Sequence, residues 1–230
     1  MAYSDGVTIV TGAGGNLGSA VCAHLLASGR RVIGVDRAET KAPAGHEAGF
    51  RSAHGADLSD PAGAAAVLEQ ALAFGPVDGL VHTVGGFAFA MLAEADTALW
   101  HRMYTINLIT TLNLFRAVLP VMRKAGRGSV VAVSAGAALK AAAGMAAYSA
   151  SKSAVLRLVE SAADEAKSHG VRINAVLPGT IDTPQNRAAM PDADTSGWVK
   201  PAEIASLIGF LLSDAASAVT GAAIPANGKG

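Results

Sequence analysis

The alternation of short β-branched runs with longer stretches of helical period constrains this 230-residue chain more than any other feature. Residues 6–11, 31–36, 50–56, 79–84, 128–134, 172–177 and 222–225 read as strands. Residues 17–28, 61–74, 96–124, 144–169 and 201–213 read as helices. In the first helix Leu17, Val21 and Leu25 recur at intervals of four, and Gly29 supplies a stop. Strands separated by helices cannot pair as hairpins. They pair in parallel through right-handed crossovers, which cover both sheet faces. The expectation is one α/β domain over residues 1–230, with a doubly wound, mostly parallel sheet of seven strands. Ligands bind such a sheet outside the carboxyl ends of its strands. The least regular stretch, 183–200, supplies a candidate lid at about 184–200.

Composition narrows the function. Hydrophobic residues make up 51% of the chain and charged ones 16%, enough apolar material for a full core and too much for global disorder. Eighteen basic residues balance eighteen acidic ones, so no basic face is implied and a nucleic-acid partner is not expected. The near-zero charge suits a chain that self-associates. Cys22 is the sole cysteine, so neither an intrachain disulfide nor a cysteine-held metal is expected. Residues 1–6 carry no basic and apolar leader pattern. The longest uncharged apolar candidate, 129–139, stops at Lys140, short of the roughly 18 residues of a membrane span. A cytoplasmic location without a membrane partner is the expectation.

Three motifs carry chemistry. The turn after the first strand reads Thr11-Gly12-Ala13-Gly14-Gly15-Asn16-Leu17-Gly18. Glycines there let backbone approach a pyrophosphate, and the following helix N-terminus favours the anion. Any tight strand-to-helix turn also wants glycine, but this placement favours a dinucleotide. Asp36 ends the second strand, 18 residues after Gly18, where a carboxylate accepts from ribose hydroxyls and repels a 2′-phosphate. NAD is therefore expected over NADP, although Arg37 next to it suits a phosphate and Asp36 also fits a cap or turn. Asp57-Leu58 suits an adenine contact, and Asp57 equally a cap for the helix at Pro61. Tyr148 and Lys152, four apart on a helix, share a face. An ammonium stabilises a phenolate, so the pair suits proton transfer to or from a carbonyl or alcohol oxygen. A surface Tyr–Lys pair is the competing reading.

With Pro178-Gly179-Thr180-Ile181-Asp182-Thr183, these motifs resemble the short-chain dehydrogenase/reductase superfamily over essentially the whole chain. The resemblance implies a Rossmann sheet, a small-molecule substrate, and a homodimer or homotetramer paired through the helices at 96–124 and 144–169. It implies Tyr148 as general acid/base, with Lys152 lowering the phenol's pKa and holding the nicotinamide ribose. It implies Asn107 as the anchor of a proton-relay water. Gly12, Gly15, Asn16, Leu17 and Gly18 would hold the pyrophosphate. Val84 and Gly85 would lie against the adenosine half, and Pro178, Gly179, Ile181 and Thr183 would border the nicotinamide.

The chain departs from the family pattern at three places. Asn16 replaces the middle loop glycine, and asparagine tolerates a left-handed backbone. His82-Thr83-Val84-Gly85 replaces Asn-Asn-Ala-Gly, and a strand histidine bonded to neighbouring backbone is expected. The substrate-binding serine is expected thirteen residues before Tyr148, but Ala135 stands there and Ser134 is the candidate substitute. The lid residues Pro184 to Asp194 and Trp198 look like dihydropteridine reductase, a branch that prefers NADH. Phe87, Phe89, Met91, Met145, Met190 and Trp198 suit a substrate wall, core or a subunit interface alike. The expected reaction is NAD(H)-dependent hydride transfer to or from a carbonyl, alcohol or quinonoid group. The alternatives are dihydropteridine reduction and non-catalytic, cofactor-binding regulation.

Overall fold

The parallel plan holds. The structure, a computed structural model, describes residues 6–229. Residues 1–5, read above for a leader, and Gly230 lie outside the described residues. Seven strands form one parallel sheet: β1 (Val7–Thr11), β2 (Arg31–Asp36), β3 (Phe50–His54), β4 (Val77–His82), β5 (Gly128–Val133), β6 (Val171–Pro178) and β7 (Ala223–Ala226). Their order is β3-β2-β1-β4-β5-β6-β7. The order reverses between β1 and β4, the position at which sheets of this kind bind ligands.

Helices α1 (Asn16–Ala27) and α7 (Pro201–Leu212) cover one face. Val21, Leu25, Ile204 and Ile208 pack there with Val10, Val81 and Val176. Helices α2 (Pro61–Phe74), α4 (Thr110–Ala125) and α5 (Ala146–Ala166) cover the other, where Leu114, Phe115 and Leu156 meet Ile9, Leu80 and Ile173. Every residue of β1 and β4 is buried, so these strands are covered on both faces, and the polar side chains they carry, Thr8, Thr11, Asp78 and His82, are hydrogen-bonded inside. Each fully buried Leu, Ile or Phe contributes about 1.5–3 kcal/mol against conformational entropy.

The expected helix at 96–124 is three pieces. Helix α3 (Thr97–Tyr104), capped by Asp96 Oδ1 on Leu99 N, runs into a π-helical turn (Thr105–Ile109) and then α4. The whole run, Thr97–Ala125, is long and apolar enough to cross a membrane. Here Leu114, Phe115, Val118 and Met122 of its α4 part are turned into the core. Composition understated it because Arg and Lys interrupt the run without breaking the buried stripe. Part of the irregular stretch 183–200 is also helical: α6 (Pro184–Ala189) has Thr183 as N-cap, accepting from Asn186 N. Ile181 bridges to Val199 across the base of this stretch.

Candidate active site

The glycine loop joins β1 to α1 at the carboxyl end of the sheet. Gly12 takes φ +68°, which only glycine adopts without strain. A Cβ on Gly18 would run into the Gly12 carbonyl oxygen, so helix and loop touch backbone to backbone. Gly15 is the α1 N-cap and offers no side chain to the first-turn amides, which face the crevice end. Asn16 does not hold a left-handed turn as expected. Among the described residues no non-glycine has positive φ, and Asn16 is the first residue of α1, just ahead of Leu17. Its Nδ2 instead donates to Gln185 Oε1 at 2.7 Å, joining the glycine loop to α6.

Asp36 stands at the end of β2. Its Oδ2 accepts from Gly14 N at 2.9 Å and its Oδ1 from Arg37 N at 2.7 Å. Beside it opens a cavity of about 500 Å³ bordered by Asp36, Arg37, Asp57, Leu58, Val84 and Ile106, with Ala56, Ser59, Thr105 and Thr110 among the lining residues that sequence reasoning missed. Asp57 does not cap α2; Asp60 does, accepting from Ala62 N. The Ser59 hydroxyl and amide hold the Asp57 carboxyl below the usual carboxylate range. Gly85 follows Val84 and lies against Asn107 and Lys152: a Cβ on it would stand 2.8 Å from Asn107 Oδ1 and 2.9 Å from Lys152 Nζ.

Tyr148 and Lys152 lie a turn apart on α5. Lys152 is buried, and its Nζ donates to Val133 O at 3.0 Å. Burial pulls its ammonium down to about 8 and pushes the Tyr148 phenol up to about 12. The expected lowering of the phenol by Lys152 is thus not seen; loss of hydration is the cause of its shift. Phe87 meets the Tyr148 ring edge-on, with centroids 5.0 Å apart. Asn107 sits in the π turn with its side chain fully engaged. Its Oδ1 accepts from Gly86 N at 2.9 Å, and its Nδ2 donates to Gly86 O and to Ser151 Oγ. Ser151, unflagged by any sequence pattern, in turn donates a hydrogen bond to the Tyr148 backbone carbonyl at 2.7 Å.

Ser134 is buried, and its hydroxyl donates to Lys152 O at 2.9 Å; Ala135 beside it is 7% exposed. Gly179 donates to Ala226 O, Ile181 lies in the bridge to Val199, and Pro178 ends β6. His82 is bonded to hydroxyls rather than to backbone. Its Nδ1 lies 2.9 Å from Thr11 Oγ1 and its Nε2 3.1 Å from Thr110 Oγ1. Thr110 gives its only hydroxyl proton to Ile106 O. Thr110 Oγ1 therefore accepts from His82 Nε2–H, and the bare Nδ1 accepts from Thr11. Burial, helped by the charge on Lys152, brings the imidazole down to about 3, so it is neutral.

A glycine loop opening α1, a carboxylate ending β2 and a cavity at the carboxyl ends of β2, β3 and β4 define a dinucleotide-binding Rossmann protein. A family model for short chain dehydrogenase matches residues 6–194. Cis-4-hydroxycyclohexanecarboxylate dehydrogenase of Sinomonas cyclohexanicum is 36% identical, covering 99% of this chain and 97% of that one. The 3-oxoacyl-[acyl-carrier-protein] reductase of Salmonella typhimurium is 32% identical over 99% and 98%. A solved NAD+-bound xylitol dehydrogenase superposes with a TM-score of 0.90 at 25% identity, covering 99% and 100%. The chain belongs to the short-chain dehydrogenase family. It is an oxidoreductase on an NAD(P)-binding Rossmann fold. The lid's resemblance to dihydropteridine reductase is not shown by these matches.

Proposed function

We propose that this chain is an NAD(H)-dependent oxidoreductase that moves a hydride between nicotinamide and a carbonyl or alcohol carbon of a small molecule, with Tyr148 as general acid/base. One observation carries this reading: a phenol and a buried ammonium lie a helical turn apart on α5, and Lys152 stands against Gly85, next to Val84, which borders the cavity beside Asp36. The cavity and the glycine loop suit NAD. Gly12, Gly15, Asn16, Leu17 and Gly18 would hold its pyrophosphate, and Asp36 its ribose hydroxyls, against a 2′-phosphate. Arg37, Asp57, Leu58, Val84 and Gly85 would border the adenosine half, and Pro178, Gly179, Ile181 and Thr183 the nicotinamide half. When bound, NAD supplies or takes the hydride.

The chain's own groups handle the proton. A phenol at about 12 keeps its proton at neutral pH and is ready to donate to a carbonyl oxygen. Lys152, still mostly cationic at pH 7, adds positive charge next to it and would hold the nicotinamide ribose. Asn107 fixes Gly86 and Ser151 around the pair and would anchor the relay water. We read Ser134 as a positioning residue that ties β5 to α5 through the Lys152 carbonyl. Ala135 then leaves the substrate oxygen without a second hydroxyl. The relatives named above carry alcohol and oxoacyl substrates in their names, in keeping with this chemistry. A homodimer or homotetramer through α4 and α5, and a lid at 184–200, belong to the same reading.

Tyr148→Phe tests it. Turnover falls at least a hundredfold, within the range of a lost general acid, while NADH affinity changes less than threefold. Unchanged turnover in that variant removes the proposed acid.

A further inference from the structure

Large exposed hydrophobic side chains are concentrated at one place. Among the described residues seven are exposed: Leu72, Phe87, Phe89, Met91, Leu92, Leu139 and Met190. All but Leu72 stand on the three segments that leave the carboxyl ends of β4, β5 and β6, the strand ends around Tyr148. Phe87 is 61% exposed while its ring rests on the Tyr148 ring. Phe89 packs on Gly144, and Ala90 N donates to Gly144 O at 2.9 Å, so the loop after β4 is pinned to the start of α5. The aromatic face is held open beside the reacting phenol. Isolated exposed hydrophobics are ordinary, but a cluster rimming a catalytic group marks a binding surface.

Charge sharpens this. Segments 83–96, 135–145 and 181–200 carry the acids Glu94, Asp96, Asp182, Asp192 and Asp194 against the bases Lys140, Arg187 and Lys200. Arg187 is already committed to Asp182 through hydrogen bonds of 2.6 and 2.9 Å. With that pair neutral, Glu94, Asp96, Asp192 and Asp194 stand against Lys140 and Lys200, and Lys152 behind the rim is buried and bonded to Val133 O, so an anionic substrate meets more repulsion than attraction there. Ala135 in place of a hydroxyl removes one polar anchor beside Tyr148.

Resting on the reading of Tyr148 given above, we propose that the substrate is an uncharged carbonyl compound, or the matching secondary alcohol, with a bulky apolar ring or chain. Its body lies on Phe87 and its oxygen at Tyr148. In reduction the carbonyl carbon gains the hydride of NADH, the oxygen gains the phenol proton, and the alcohol and NAD+ are released. Tyr148 recovers its proton from solvent.

The test is a series of 4-alkylcyclohexanols with NAD+, and the matching ketones with NADH, set against 4-hydroxycyclohexanecarboxylate and a polyol such as xylitol. KM falls about fourfold per added methylene until the wall is covered, the equivalent of roughly 0.8 kcal/mol per buried CH₂. The carboxylate is at least tenfold poorer in kcat/KM than the butyl alcohol. Calorimetric titration of the same alcohols into the NADH complex, where no hydride can move, gives the same fourfold steps in Kd and a negative heat-capacity change. Phe87→Ala and the exposed-site variant Leu139→Ser both flatten the series. A flat series in the parent chain, or a preference for carboxylate or polyol, overturns the apolar substrate and leaves the hydride-transfer reading standing. No turnover of any member by a folded, NADH-binding chain overturns both.

Discussion

His82 gives the chain an acid weakness of predictable size. Its imidazole is buried between Thr11 and Thr110 and titrates near 3 in the fold, against 6.5 when free. Between these values the unfolded chain binds a proton that the folded chain refuses. Stability therefore falls as pH falls through that window and is unaffected well above it. From pH 7 to pH 5 the linkage amounts to about 2 kcal/mol, nearly all of the 1.36 kcal/mol per unit lying below the free value. For a chain of this length that lowers Tm by roughly 4–8 °C. His82→Asn retains a donor and an acceptor but does not titrate, so it removes this loss. Differential scanning fluorimetry of both proteins from pH 5 to 8, at one protein concentration, measures the difference of the two slopes. His82→Asn is expected to start lower at pH 7, since the shorter side chain cannot span both threonines. The slope, not the starting Tm, is the readout. Parallel slopes would refute the neutral, threonine-bridged histidine.

Three further outcomes follow from the site. Lys152→Met abolishes turnover but raises stability by up to about 3 kcal/mol at pH 7. The fold holds this ammonium near 8 instead of 10.5, so the cost is full below pH 8 and fades as pH rises toward 10.5; a lower Tm at pH 7 contradicts it. Gly18→Ala forces a Cβ onto the Gly12 carbonyl. NADH affinity drops at least tenfold by fluorescence titration, and an unchanged affinity shows that the loop does not carry the dinucleotide. Asp36→Ser removes a carboxylate from the ribose position and raises the NADPH-to-NADH ratio of kcat/KM at least tenfold, read from steady-state kinetics; an unmoved ratio places the cofactor's adenosine elsewhere.

The architecture was legible because it rests on period and order. Buried parallel strands such as 6–11 and 79–84 are recognisable as short runs rich in β-branched residues, and helix starts at Pro61 and Pro201 fall where the sequence puts them. Tertiary geometry accounts for what was missed. No local pattern shows that Asn16 reaches a glutamine 169 residues away, or that Thr110 sits under His82. The phenol's pKa was misjudged for a similar reason. Spacing reveals that an ammonium is near but not that both groups are out of water, and burial set the outcome. The choice between Ser134 and Ala135 depended on which way one hydroxyl points, and it points at a backbone carbonyl.

The wide turn at Thr105–Ile109 has a lasting effect on what can be edited in this gene. It accommodates one residue more than a regular helix would, which lets Asn107 look toward Gly86 while Leu114 and Phe115 look inward. Removing a single codon there would let the helix close into regular α geometry, with Leu114 and Phe115 still facing the core, and would take away the bulge that carries Asn107. The extra residue serves the polar clasp on Gly86 and Ser151; the greasy seam would survive without it.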